Sequence, residues 1–171
     1  MRVRRHSDPS DVVVAGIGNR YRRDDGAGLH VTDQLVSDLG GDVRDVGPVV
    51  DPLDLLGRWD GAALAVVVDA VRSDRAPGTV SVVELDHDVT SRRRTGHAPA
   101  STHGIDVAGA LRIAHVLGRA PRRVVLVGIT GADFGQGPGL SPAVEAAIPE
   151  AVNAVRQLVG RSGPCASAVS T

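Results

Sequence analysis

Four side chains in this sequence stand where chemistry can be done. Asp24 and Asp25 sit side by side in "GIGNRYRRDDGAG", Asp69 closes the apolar run "AALAVVVDAV", and His103 lies in "ASTHGID". Carboxylates that meet across a crevice attract a cation. An added imidazole would give two carboxylates and one nitrogen with open positions, a donor set that suits a borderline divalent metal. His103 is the best-placed third ligand, with His97 in the same long loop as its reserve. Each residue also has a plainer role open to it. Asp25 is equally readable as a helix N-cap, and Asp24 reads better as a cap or a solvated charge than as a ligand. A structural hydrogen bond to loop amides would account for Asp69, and a capping or surface role for His103. Their shared placement at strand ends is what singles them out.

Ahead of the aspartate pair, Val12–Ile17 reads as a buried strand ended by glycine. Leu29, Thr32, Leu35, Val36 and Leu39 then follow helical spacing, and Gly40 and Gly41 stop the helix. Residues 42–46 read as a short second strand. In "DPLDLLGRW", Asp51 is the cap and Pro52 the first position of a short helix. The third strand ends near Asp69, and "TVSVVEL" is the fourth. An irregular stretch, 86–102, has the length of a functional loop. A helix follows from about His103 to Leu117 with Ser101 as its cap, then the last strand "RRVVLVGIT" and the Gly-rich loop "GADFGQGPG". Ser141 and Pro142 open a final helix to about Val159, with a kink expected at Pro149. Strands alternating with helices, and apolar throughout, predict a mostly parallel sheet covered on both faces. The link from Val71 to Thr79 is too short for a parallel crossover, so the third and fourth strands are expected to form an antiparallel hairpin. If the first and third strands are neighbours, as in a flavodoxin-like order, the crevice between them brings Asp24 and Asp25 to face Asp69.

The chain of 171 residues is read as one domain, 1–171, with a polar extension at 1–10 and a flexible tail at 161–171. A net charge of -1 gives no bulk attraction to nucleic acid or anionic lipid. With Tyr21, Trp59 and Phe134 as the only aromatic residues, a base-stacking surface is not expected. Cys165, the single cysteine, allows no intrachain disulfide and fits a reducing cytoplasm. No apolar run approaches the ~20 residues that span a membrane. A phosphate cradle fits the first turn poorly. Tyr21 stands where a dinucleotide fingerprint needs its third glycine, and carboxylates beside a helix N-terminus compete with an anion. Arg20, Arg22 and Arg23 partly offset that competition, so a nucleotide- or flavin-binding module stays open. There is no Gly-x-Ser-x-Gly, no His-Glu-x-x-His, and no histidine near Cys165 in sequence.

The first motif resembles Gly-x-Gly-Asn, spacer, Asp-Asp/Glu-Gly-x-Gly of the hydrogenase maturation endopeptidases. "VVVDAV" resembles that family's strand-end aspartate, "STHGIDVAGAL" its Ser-x-His at a helix start, and "VVLVGI" and "GLSPAVEAAIPEAV" its last strand and helix. The likeness runs from about Val12 to Gly160. It implies an α/β, flavodoxin-like three-layer sandwich of about five strands. It also implies an endopeptidase that removes the C-terminal extension of the nickel–iron hydrogenase large-subunit precursor after nickel insertion. The family's metal ligands, an acid of the first motif, the strand-end aspartate and the histidine, map onto Asp25, Asp69 and His103, which are thereby both the metal-contacting and the catalytic residues. Nickel is expected to arrive on the substrate, leaving the resting protein largely metal-free. The expected setting is cytoplasmic, with no nucleic-acid or membrane partner. Asp45 is the nearest match to the family's acid–Gly motif after the second strand. The spacer Arg20-Tyr21-Arg22-Arg23 replaces the family's apolar one, which leaves a paralogue with the same fold and another partner as the alternative.

Overall fold

The computed structural model describes residues 11–39, 43–85 and 107–161. In chain order these form β1 (Val12–Ile17), a 3₁₀ turn (Arg23–Gly26), α1 (Ala27–Leu35) and β2 (Asp45–Val49). A second 3₁₀ turn (Pro52–Asp54) leads into α2 (Leu55–Arg58) and β3 (Leu64–Val71). Then come β4 (Val80–Leu85), α3 (Val107–Val116), β5 (Arg123–Thr130) and α4 (Pro142–Gly160). The expected extension 1–10, the loop 86–102 and the tail from residue 162 lie outside the described residues.

The five strands make one sheet in the order β2-β1-β3-β5-β4, and only β4 runs antiparallel. Strand residues alternate between two apolar layers. Val12, Val14, Val66 and Val68 pack with α1 and α4 on one face. Val13, Ala15, Ala65 and Val67 pack with Leu55, Trp59, Ala110 and Leu111, from α2, its flank and α3, on the other. This is the expected α/β sandwich, and its first three strands stand in the flavodoxin-like order 2-1-3. Burial on both faces is why β1 and β3 are apolar at nearly every position.

Two expectations are corrected. β4 is antiparallel but does not form a hairpin with β3, because β5 lies between them. The connecting residues pass over the end of β5, where Gly78 N–H donates to the Thr130 carbonyl (2.8 Å) and Thr130 N–H to that of Thr79 (3.0 Å). The continuously apolar β5 takes the doubly covered slot, and β4, with Ser81 and Glu84, takes the edge. The second strand also sits later than the 42–46 reading, at Asp45–Val49. Pro48 fits within it because β2 is an edge strand, hydrogen-bonded to β1 on one side, and an edge tolerates a missing N–H. The Asp51 cap acts as expected: its carboxylate accepts from Leu53 N–H at 2.9 Å, with Pro52 opening the turn. α4 continues through Pro149 to Gly160.

Candidate active site at the ends of the first and third strands

β1 and β3 are adjacent and parallel, so their carboxyl ends share one edge of the sheet. From β1 the chain proceeds to β2 on one side and returns as β3 on the other, which makes this the point where strand order reverses. Asp69 lies near the carboxyl end of β3, two residues before its last residue Val71, opposite Gly128 of β5, and is 1% exposed. Asp25 lies in the 3₁₀ turn after β1, is fully buried, and its turn packs against β3. The structure therefore brings the two expected acids to the same end of neighbouring strands.

The intervening turn is tightly built. Gly18 has φ 140°, and a Cβ there would overlap the Asp25 carbonyl oxygen. Gly28 lets α1 start directly over the sheet, where a Cβ would strike the Val68 and Ile17 carbonyl oxygens. Asn19 Oδ1 accepts from Tyr21 N–H at 2.9 Å, a local bond that suits asparagine in a turn. Its own N–H donates to Asp25 Oδ2 at 3.0 Å. An amide that a phosphate cradle would aim at its ligand is here spent on a carboxylate. Asp25 does not cap α1; that helix has Gly26 at its N-cap, with no side-chain capping bond.

Asp24 departs from both roles expected of it. It neither caps its own helix nor faces solvent; it is fully buried. Its Oδ2 accepts from Ala132 N–H (2.7 Å), Asp133 N–H (2.9 Å) and Ser141 Oγ–H (2.9 Å), and its Oδ1 from Ser141 N–H (2.6 Å). Burial pushes its carboxyl up, but the amides of Ser141, Asp133 and Ala132 and the Ser141 hydroxyl outweigh it and hold the group below the usual carboxylate range. Ser141 stands at the N-cap of α4 as expected, yet its hydroxyl serves Asp24 rather than the helix. No local pattern announces this contact, because the partners are more than a hundred residues apart in sequence.

His103 and His97 lie outside the described residues, as does Ser101. Among the described residues, no three of His, Cys, Asp and Glu gather as a metal site. α3 ends at Val116, shortly before β5 begins at Arg123, so its N-terminal end points to the same end of the sheet as Asp25 and Asp69. The side chain of Asp45 lies outside the described side chains.

A family model described as hydrogenase maturation protease (HycI) matches residues 46–158. The chain belongs to the hydrogenase maturation protease family. The matched span includes Asp69 and His103. The chain is 28% identical over 157 residues to the hydrogenase 2 maturation protease of Escherichia coli (strain K12), covering 89% of this chain and 92% of that one. It is 31% identical over 154 residues to the hydrogenase expression/formation protein HupD of Rhodobacter capsulatus, covering 88% and 72%. The solved hydrogenase maturating endopeptidase HybD of Escherichia coli superposes with a TM-score of 0.75 at 25% identity, over 90% of this chain and 94% of that one. The [NiFe] hydrogenase maturation protease HybD of Thermococcus kodakarensis gives 0.68 at 26% identity, over 87% and 99%. Among the described residues, no helix is long and apolar enough to cross a membrane.

Proposed function

We propose that this maturation protease removes the C-terminal extension of a nickel–iron hydrogenase large-subunit precursor, and that it reads the nickel already held by the substrate through Asp25, Asp69 and His103. The observation that carries this is the pair of buried carboxylates at the carboxyl ends of β1 and β3, where the strand order reverses. Nickel is cargo of the substrate here, and oxygen donors from this chain suit a borderline divalent ion. Low exposure strengthens the attraction of both carboxylates for a cation, because water screens them less. The same burial requires a docking precursor to open its approach to them, so recognition includes a local rearrangement.

In this scheme Asp25 and Asp69 hold the substrate's metal against the end of the sheet, and His103 supplies the third donor from just ahead of α3. The tail of the precursor is thereby laid across the crevice, and cleavage depends on metal loading. Polarisation of the scissile carbonyl or activation of water is the chemistry the substrate's nickel would supply. Without a thiolate, the chain's own donors should bind free metal only moderately, so the resting protein is expected to be largely metal-free. The setting we assign is cytoplasmic.

The test is to incubate the protein with nickel-loaded precursor from its own source and weigh the product. Loss of a C-terminal peptide from loaded precursor, and from it alone, is the expected result; cleavage of metal-free precursor would remove the nickel-reading step. The arginine-rich spacer favours a second reading, a paralogue acting on another partner. Tyr21 is 74% exposed at the crest of that spacer. Failure of well-folded protein to cut loaded precursor would move the assignment there.

A further inference from the structure

Asp24 has no part in the metal recognition proposed above, yet it is as buried as Asp25. The four hydrogen bonds its carboxylate accepts come from Ala132, Asp133 and Ser141, in the loop that joins β5 to α4. The main chain doubles the tie. Arg23 N–H donates to the Gly137 carbonyl (2.9 Å), Asp24 N–H to that of Asp133 (3.0 Å), and Gly137 N–H to that of Tyr21 (2.9 Å). Arg23 is held at φ 53°, a left-handed conformation that a residue with a side chain keeps only where its surroundings over-determine it.

The same loop is fixed from the other side to the end of β3. Gly131 N–H donates to the Val71 carbonyl at 3.0 Å, and the Ser73 and Thr130 hydroxyls share a bond of 3.0 Å. The Arg72 guanidinium lies 4.2 Å from the centre of the Phe134 ring. Residues 131–141 therefore bracket both strand ends that carry the acids: the turn with Asp25 through Asp24, and the end of β3, just past Asp69, through Val71 and Arg72. Gly131 completes the fit, since a Cβ there would lie 2.5 Å from the Phe134 ring and 3.2 Å from Asp24 Cβ.

We propose that Asp24 is a positioning residue for the cleavage reaction, drawing the β5–α4 loop onto the β1 turn and so setting Asp25 in place beside Asp69. This rests on the two-acid reading of the site and deepens it. Asp24 touches no substrate; it acts through its neighbour. A misplacement of about 1 Å at a reacting group costs on the order of 100-fold in rate, which sets the scale of the effect.

The experiment measures binding and cleavage of nickel-loaded precursor by wild type, Asp24→Asn, Asp25→Asn and the double variant. Each is assayed at a temperature where circular dichroism shows it folded. Asp24→Asn should weaken binding about 10-fold and slow cleavage about 10- to 100-fold, with faster amide exchange at Ala132, Asp133 and Ser141. In the Asp25→Asn background the same change should weaken binding less than about 2-fold, because the group it positions is already lost. Wild-type binding by folded Asp24→Asn, or an equal loss in both backgrounds, would overturn the positioning role. Should Asp24→Asn fail to fold, Ser141→Ala removes only the hydroxyl donor. It should then weaken binding about 2- to 3-fold, again only when Asp25 is present, and no loss would count against the proposal. Normal binding and cleavage by Asp25→Asn would overturn the site reading itself. That outcome is distinct from an inactive Asp25→Asn beside a normal Asp24→Asn, which sinks the positioning role alone.

Discussion

The two ends of the sheet treat charge in opposite ways. At the carboxyl ends of β1 and β3, Asp24, Asp25 and Asp69 are all buried, and Asp24 is held by backbone amides and a hydroxyl rather than by an arginine. At the amino end, the carboxylates of Asp11 and Asp60 pair with arginines at the edge of solvent, Asp11 partly covered and Asp60 exposed: Arg44 lies 3.1 Å from Asp11, and Arg119 lies 2.9 Å from Asp60. Burying a carboxylate is costly, and a protein seldom does so for stability alone. The acids at the carboxyl end are therefore read as functional or as serving a functional neighbour, and those at the amino end as surface pairs.

The largest effect expected from breaking this contrast is on chemistry. Asp25→Asn and Asp69→Asn keep size and much of the hydrogen bonding, so their thermal midpoints should stay within a few degrees of wild type. Loss of a partner behind a metal ligand costs about 10- to 100-fold, so loss of the carboxylate itself should cost cleavage more than about 100-fold. A mass-spectrometric cleavage assay showing near-normal product from either variant would break the functional reading of this end.

Next in size is packing beneath the site. Gly28→Ala places a methyl against the Val68 and Ile17 carbonyl oxygens, which belong to two strands and cannot step aside. The cost should be about 3 kcal/mol or more. That corresponds to a fall of roughly 6–12 °C in Tm by calorimetry for a chain of this size. A fall of a degree or less would mean that α1 is not pinned over the strand ends.

Much of this end was legible in the sequence, and the reasons are local. The β-branched run Val12–Ile17, the glycines of the turn and the strand-end Asp69 depend on near neighbours, and each takes its expected place. What depended on distant partners was not legible. The slot of β4 was decided by competition with β5 for the covered interior, which the short link from Val71 could not reveal. The acceptor role of Asp24 was decided by Ala132, Asp133 and Ser141, and a doublet of aspartates looks the same in sequence whether it caps, ligates or braces. His103 lies outside the described residues.

Asp24 gives a smaller, pH-dependent effect. Asp24→Asn keeps one acceptor but turns an N–H donor toward others, for a loss of about 2–3 kcal/mol near neutrality. The wild-type carboxyl titrates below its ordinary value. Its contribution is therefore fully present above the unfolded value near 4, and disappears as pH falls through the lower folded value. Denaturant midpoints for wild type and variant should differ most at neutral pH and converge in acid. A gap that widened on acidification would reverse the assigned sign.

The smallest effect belongs to the amino end. Arg119 and Asp60 are each 42% exposed, so their attraction is screened by water and salt. Holding both chains in one geometry costs entropy as well, and Arg119→Ala should lower stability by no more than about 1 kcal/mol. Arg44 sharpens the point, because it does more than pair with a charge. Its guanidinium also donates to the carbonyls of Asp60 (3.2 Å) and Arg58 (2.6 Å), joining the start of β2 to the turn before β3. Arg44→Ala should therefore cost more than Arg119→Ala, and the excess should survive added salt, since it comes from hydrogen bonds to backbone rather than from the ion pair. Equal and fully salt-sensitive losses at both positions would show that this end is held by charge after all, and the contrast between the two ends would then be one of burial only.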